Sequence, residues 1–181
     1  MNGPLHPSLP RRPVRTSQAP EPRGRDRERP STEFSRVALP PKDRKQDRVE
    51  RVIAGIYGRR GPMLTLHRER RHEGRTERFS GLYIMPTEEA AIVRAAIDLA
   101  NMPRFKGRYH VGSFPTGEGL EIRVSANLTQ FGPAVFIERV ATASNARIGG
   151  TPIDKAWGEI DAMDRALVWL AAAEEDWRAG R

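Results

Sequence analysis

Residues 68–78, RERRHEGRTER, form the densest cluster of arginines in the chain, and eight of these eleven residues are charged. Guanidinium groups bind phosphate oxygens through paired hydrogen bonds. A cluster that neutralises several phosphates releases counterions, so its affinity falls steeply with salt. The alternative is a solvated turn in which the arginines pair with Glu69, Glu73 and Glu77. The five arginines concerned are Arg68, Arg70, Arg71, Arg75 and Arg78.

Aromatic residues beside this cluster could stack on nucleic-acid bases, although they could equally belong to the core. A second basic and aromatic patch, RFKGRYH, could extend the same surface or be an ordinary linker that enters a strand. The predicted nucleic-acid-binding residues outside the cluster are Tyr57, Arg59, Arg60, Tyr83, Arg104, Lys106 and Arg108; Phe79 is a further stacking candidate.

No pattern in the sequence is typical of catalysis. It has no nucleophile elbow, no P-loop and no dinucleotide fingerprint, and the absence of cysteine excludes disulfides and zinc–thiolate sites. His67, His72 and His110 have no carboxylate spacing that matches a metal site. We therefore predict a non-enzymatic protein with no catalytic residues, no metal site and no cofactor.

The net charge of +8 is concentrated in the first half of the chain. Residues 51–80 carry eight basic against three acidic side chains, whereas residues 81–181 carry eleven against thirteen. Nine of the fifteen prolines lie in residues 1–41, which have few apolar side chains, so this segment is predicted to be a disordered basic tail. No segment is apolar enough to span a membrane, and we expect a cytoplasmic protein, with association with the nucleoid as an option.

The ordered domain is predicted over residues 42–181, in two halves of about 42–103 and 104–181. The first half contains a strand near 50–57, a hairpin over 61–85 whose HEGR turn is centred on Gly74, and a helix over 87–101 capped by Thr87. The stripe of that helix predicted to be buried is Val93, Ala96, Ile97 and Ala100.

The second half repeats this order of elements. Three strand-like runs, GRYHVGSF, LEIRVSANL and AVFIERVATA, are joined by turn sequences, and the loop NARIGGTP leads to a helix over 153–178 that begins at Thr151 and Pro152. Short connections make neighbouring strands antiparallel. The predicted fold is therefore α+β, with one or two curled antiparallel sheets in a strands–helix–strands–helix order.

Three tryptophans are predicted on the last helix. Trp157 and Trp177 lie near its apolar stripe, which includes Ile153 and Ala171, and Trp169 lies off the stripe. A tryptophan on a polar face is typical of a partner or subunit contact, so all three are candidates for an oligomer interface. The alternative is a helix with a broad apolar face that packs on two sides.

This order of elements resembles the Pur-alpha and Whirly group of single-stranded nucleic-acid binders. The stretch RTERFSGLYIMPTEEAAIVRAAIDLA also resembles the end of the positive-cofactor-four coactivator domain, where a basic hairpin leads into a strand, a proline and a helix. The resemblance covers residues 50–175, without an invariant motif. It implies that single-stranded DNA or RNA binds across a sheet face and that the chain forms a homodimer through its helices.

Two functions follow from these observations. The first is a non-catalytic protein that binds single-stranded nucleic acid through the basic hairpin and a sheet face. The second is a structural or adaptor protein, of a phage or plasmid type, that binds a protein partner through the tryptophan-containing helix. Sensitivity to salt distinguishes the two, because only the first depends on phosphate contacts.

Overall fold

Four strands and a helix occur twice along the chain in the computed structural model, which describes residues 31–40, 48–72, 74–86, 88–117 and 119–180. The predicted α+β class and order of elements are confirmed. The elements are β1 Thr32–Ala38, β2 Arg48–Gly58, β3 Gly61–His72, β4 Arg75–Ile84, α1 Glu88–Asn101, β5 Arg108–Gly117, β6 Leu120–Thr129, β7 Gly132–Ala141, β8 Ala146–Asp154, a 3-10 helix Lys155–Trp157 and α2 Glu159–Ala179.

The strands form two separate antiparallel sheets, in the orders β1-β2-β3-β4 and β5-β6-β7-β8. The β3–β4 hairpin is the one predicted from the sequence, and Gly74 in its turn has the positive φ of 76° that glycine adopts without strain. Within the described residues, neither helix is long and apolar enough to cross a membrane.

Each helix packs against the sheet formed by the other half of the chain. Helix α1 follows the first sheet in sequence but lies on β5, β6 and β7, whereas α2 follows the second sheet and lies on β1, β2 and β3. The two helices also contact one another. Neither sheet therefore buries its apolar face without a helix from the other half.

The core lies between the sheets and the exchanged helices. Alternate residues of the central strands supply its sheet side, including Leu64, Leu66, Val124 and Ile137, which are all fully buried. The predicted buried stripe of α1 is confirmed at all four positions. Thr87, its predicted N-cap, lies outside the described residues.

A buried ion cluster joins the two halves at one end of this core. Arg51 of β2 lies against two carboxylates of the second half, with Nη2 at 2.9 Å from Asp154 and 2.7 Å from Glu159. Its guanidinium also lies 4.9 Å from the ring centroid of Trp157. Burial raises the pKa of Glu159 above its ordinary value, although the Arg51 charge and a hydrogen bond from the Asp154 backbone oppose that shift.

Two predicted boundaries are wrong. Residues 32–38, assigned to the disordered tail, form β1, because pairing with β2 satisfies their backbone groups despite a sparse apolar pattern. The sequence before residue 31 lies outside the described residues. Residues 146–154, assigned to a loop and a helix start, form β8, in which Ile153 pairs with Val135 in the core.

The last helix consequently begins at Glu159 rather than at residue 153. Thr151 and Pro152 belong to β8, and Trp157 belongs to the 3-10 helix. Gly158, with a φ of 68°, separates the 3-10 helix from α2. Ala171, predicted in the apolar face of the helix, is exposed.

The ring of Trp169 lies directly on the backbone of β2. A Cβ placed on Gly55 would come within 2.4 Å of the Trp169 ring, a distance that real contacts do not reach. The ring also packs edge-on against Phe34 and Tyr57, with centroid distances of 5.9 and 5.8 Å. Trp169 is therefore part of the packing between α2 and the first sheet, contrary to its predicted place away from the apolar stripe.

Substitution Gly55→Ala is expected to reduce the free energy of unfolding by about 1–3 kcal/mol, because the added methyl overlaps the Trp169 ring, which also packs against Phe34 and Tyr57. Urea denaturation followed by circular dichroism measures the loss. Gly149→Ala in β8 is the matched control, since nothing lies within 4 Å of its Cβ position. Equal effects of the two substitutions would contradict the close contact with Trp169.

Candidate nucleic-acid interface

The face of the first sheet that α2 does not cover carries four arginines, which we call the arginine face. Arg36 comes from β1, Arg48 from β2, Arg71 from β3 and Arg78 from β4. Strand register brings them together, because Arg48 pairs with Arg71 and both side chains point away from the core. Arg48, Arg71 and Arg78 are exposed, with 70%, 54% and 66% of their side chains accessible.

Two buried carboxylates hold these guanidinium groups in place. Glu50 and Glu69 lie directly opposite one another on β2 and β3, and Arg36 Nη1 bridges them at 2.8 and 2.5 Å. Arg48 contacts Glu50 at 2.8 Å, and Arg78 contacts Glu69 at 3.0 Å. The ion pairs with Glu50 and Glu69 therefore hold the arginines in position, while parts of the arginine side chains remain accessible to solvent.

The same contacts shift the pKa of both carboxyl groups. Burial acts to raise the pKa of Glu69, but hydrogen bonds from Arg36, His67 and Arg78 outweigh it and lower the pKa to about 2. The hydrogen bond from Arg36 lowers the pKa of Glu50 as well, against the effect of burial. Both groups are therefore ionised at neutral pH and keep the arginine face ordered.

Acid is expected to remove the contribution of Glu69 to stability. Its folded pKa of about 2 lies below the ordinary value of 4.5, so its stabilisation is complete above pH 4.5 and is lost as the pH falls toward 2. Glu69→Gln should therefore cost about 1.5–3 kcal/mol near pH 6 and progressively less between pH 4.5 and 2. Urea denaturation of both proteins across this range measures the difference.

Glu175→Gln, on an exposed position of α2, is the control for that experiment. Its free energy of unfolding should follow that of the wild-type protein at every pH. A cost of Glu69→Gln that stays constant down to pH 2 would contradict the assignment of the lowered pKa to this carboxyl group.

The remaining predicted arginines of the hairpin lie on the opposite side of the sheet from the arginine face. Arg70 and Arg75 are exposed near the turn, with Arg70 in register with Val49 and Glu77, and Arg75 with His72. Arg68 is in register with Arg51 on the core face, and its buried Nε has no hydrogen-bond partner among the described residues. The hairpin end of the sheet therefore carries Arg48, Arg71 and Arg78 on the arginine face, and Arg70 and Arg75 on the other face.

Other predicted binding residues lie elsewhere. Arg59 and Arg60 occupy the β2–β3 turn, which lies at the opposite end of β3, roughly 36 Å away at about 3.3 Å per residue. Tyr57 lies on the core face, where its ring contacts Trp169 and Trp177, so it does not belong to the arginine face.

Tyr83 is the exposed aromatic residue on the arginine face. It lies on the edge strand β4, in register with Thr65 of β3, and 55% of its surface is accessible. Phe79 is partly exposed and lies on the core-facing side of the same strand. The centre of the arginine face is less open, because Val52, Thr65 and His67 are buried there.

The second basic patch belongs to the other sheet. Arg104 and Lys106 are exposed in the connection between α1 and β5, and Arg108 begins β5, with Nη2 at 4.0 Å from Glu138. Phe105 and Tyr109 contact one another, with a centroid distance of 5.6 Å. This patch lies on a different sheet from the hairpin arginines.

The tryptophans predicted at an interface have unequal surroundings. Trp169 and Trp177 contact Tyr57 of the first sheet, so their rings take part in packing within the chain. Trp157 is partly exposed and contacts the exposed Phe131, with a centroid distance of 6.1 Å. Of the three, Trp157 retains the surface that a partner could contact.

Sequence reasoning missed Arg36, Arg48 and both buried glutamates. Arg36 fell within the segment assigned to the tail. The pairing of Glu50 with Glu69 depends on the strand register, which the amino-acid composition does not predict. A signal was present at 48–50, RVE, where Arg48 and Glu50 fall on one face of a strand and Val49 falls on the other. The sequence matches no protein-family model and no curated protein.

Proposed function

We propose that this protein binds single-stranded DNA or RNA without catalysis, through the hairpin end of the first sheet. The observation that carries the proposal is the group of exposed guanidiniums anchored on Glu50 and Glu69. Ordered, solvent-accessible arginines contact phosphate oxygens at a smaller entropic cost than mobile ones. The order of elements, strands then helix in each half, agrees with the resemblance to the Pur-alpha and Whirly group.

The charge balance of the arginine face supports phosphate contact of moderate strength. Four arginines face three glutamates, Glu33, Glu50 and Glu69, and two of these carboxylates are buried beneath the guanidiniums. Arg70 and Arg75 add positive charge near the turn, on the other face of the sheet. Tyr83 supplies a ring on which a base can stack, an interaction worth about 1–3 kcal/mol.

Fluorescence anisotropy with a labelled single strand and a labelled duplex of the same length tests the proposal. Four phosphate contacts on a single strand predict a slope of about −2.8 in a plot of log affinity against log salt, or about a 50-fold loss between 50 and 200 mM. Residues 31–181 should bind as the full chain does. Affinity that does not change with salt, or that requires residues 1–30, would contradict it.

The adaptor hypothesis stays a prediction, and the exposed tryptophan surface on which it depends is smaller than the sequence indicated. Two of the three tryptophans on which it depends pack against the first sheet, and the exposed Trp157–Phe131 pair is what remains. The homodimer likewise stays a prediction, which sedimentation of the protein over a range of concentrations would measure.

A further inference from the structure

Three connections of the chain meet at one end of the second sheet. Because the sheet is antiparallel, β5 and β7 begin at the end where β6 and β8 terminate. The connection before β5, the β6–β7 turn and the 3-10 helix after β8 therefore lie side by side, across about 15 Å at about 4.8 Å per strand. We call residues 102–110, 128–133 and 155–158 the connection end of the second sheet.

The connection end exposes an apolar surface. Five of the nine large apolar side chains that the described residues expose lie there. The backbone N–H of Leu128 donates to the Gly107 carbonyl oxygen at 2.9 Å, which joins the end of β6 to the connection before β5. The contact of Phe131 with Trp157 joins the β6–β7 turn to the 3-10 helix. A group of exposed apolar side chains of this kind marks an interaction site. The five are Met102, Tyr109, Leu128, Phe131 and Trp157.

The charge of the connection end is entirely positive. Its residues include Arg104, Lys106, Arg108 and Lys155, and none of them is aspartate or glutamate. An apolar surface with a cationic rim is complementary to a segment in which carboxylates lie between apolar side chains. The chain's own residues 1–30 carry seven arginines against three acidic side chains, so like charge disfavours that segment as the occupant.

The aromatic rings at the connection end favour a peptide over a nucleic acid. Stacking of a base needs a ring face that is open to solvent. Phe105 and Tyr109 instead contact one another, and the Trp157 ring contacts both Phe131 and the guanidinium of Arg51, which lies 4.9 Å from its centroid. Two of the five exposed side chains are aliphatic, and these pack against apolar side chains but offer no ring to a base.

We propose that the connection end binds an acidic peptide segment of a partner protein, in which carboxylates lie between leucine or aromatic side chains. Phe131 and Trp157 contact one apolar side chain of the peptide, and Leu128 contacts the next. Arg104 and Lys106 pair with its carboxylates. The surface is built from connections of the second sheet rather than from the last helix, and the proposal does not depend on nucleic-acid binding at the first sheet.

Selection of a display library of random peptides, about twelve residues long, on the immobilised full chain tests the proposal. The enriched peptides should contain more carboxylates and more leucine or aromatic residues than the library. A fluorescein-labelled copy of the most enriched peptide should bind the full chain in fluorescence anisotropy. Leu128→Ser with Phe131→Ser should weaken that binding by about 10-fold or more. Arg104→Glu with Lys106→Glu should weaken it as well, and more strongly at low than at high salt.

Two variants of other surfaces are the controls. Ile148→Ser removes a side chain as exposed as Phe131, near the start of β8 and roughly 20 Å from the end of that strand. Arg59→Glu with Arg60→Glu reverses the same amount of charge at the β2–β3 turn. Both should bind the peptide with wild-type affinity. All of the substituted side chains are exposed, so the circular dichroism of each variant should match that of the wild-type protein.

Four outcomes would overturn the proposal. The first is a selection that enriches no peptide, or peptides without an excess of carboxylates. The second is a peptide that binds the Leu128→Ser, Phe131→Ser variant as tightly as the wild-type protein. Displacement of the peptide by an oligonucleotide of about fifteen thymidines, with loss of oligonucleotide binding in that variant, would assign the surface to nucleic acid. Self-association that the same variant abolishes would assign it to a second copy of the chain.

Discussion

Reversing the charge of Arg71 and Arg75 is expected to weaken the binding of a single-stranded oligonucleotide by about 100-fold or more at 50 mM salt. Both side chains are exposed at the hairpin end, Arg71 on the arginine face and Arg75 on the other face, and in the proposed interface each forms a charge-assisted hydrogen bond to phosphate, worth about 1.5–3 kcal/mol. The double variant Arg71→Glu, Arg75→Glu removes two such hydrogen bonds and adds repulsion. The salt dependence should also become shallower, by about 0.7 in slope for each phosphate that the protein no longer neutralises.

A matched reversal on another surface controls for net charge. Arg59→Glu with Arg60→Glu changes the charge by the same amount at two exposed positions of the β2–β3 turn, at the opposite end of β3 from the hairpin turn. This control should bind with close to wild-type affinity. The neutral variant Arg71→Gln, Arg75→Gln should lie between the wild type and the reversal. Equal losses in the hairpin and control variants would show that binding depends only on total charge, and would contradict a site at the hairpin.

Replacing Arg51 by methionine is expected to reduce the free energy of unfolding by about 3–5 kcal/mol. Arg51 is almost fully buried, and its guanidinium is shared by Asp154 and Glu159, which are buried as well. Without it, two carboxylates remain close together in a region from which water is excluded. Chemical denaturation followed by circular dichroism, at pH 7, measures the loss.

Arg94→Met provides the comparison for that substitution. Arg94 on α1 pairs with Asp164 on α2, but both side chains are partly accessible to water. Removing a pair of this kind costs about 0.2–1 kcal/mol. A loss below about 1 kcal/mol in Arg51→Met would contradict its place at the centre of the buried cluster. If the variant does not fold, Asp154→Asn with Glu159→Gln added to Arg51→Met should restore part of the stability.

The elements that the sequence predicted correctly are those fixed by local periodicity. Helix α1 has acidic residues in its first turn and a four-residue stripe, and the β3–β4 hairpin has a glycine where the turn needs a positive φ. Strand β8 was missed because Gly149 and Gly150 interrupt its pattern. Gly150 lies so close to the backbone of β7 that a Cβ there would be only 3.0 Å from the Ile137 carbonyl oxygen.

The candidate site was predictable only in part, for a different reason. Arg71 and Arg78 belong to a conspicuous cluster in the sequence, and the structure brings them to one exposed end of a sheet. Arg36 and Glu50 are distant from that cluster along the chain, and the register of four strands is what brings them beside it. Tyr57 was assigned to the site because its neighbours are basic, but its side of β2 faces α2.

The exchange of helices between the two sheets sets the order of events during synthesis on the ribosome. The first sheet is complete at Ile84, but the helix that covers it ends about 95 residues later, at Ala179. At a rate of synthesis of about 5–20 residues per second, the apolar face of this sheet remains uncovered for roughly 5–20 s, until α2 has been synthesised. Chains released early, without α2, would therefore expose that face and become substrates for chaperones and proteases.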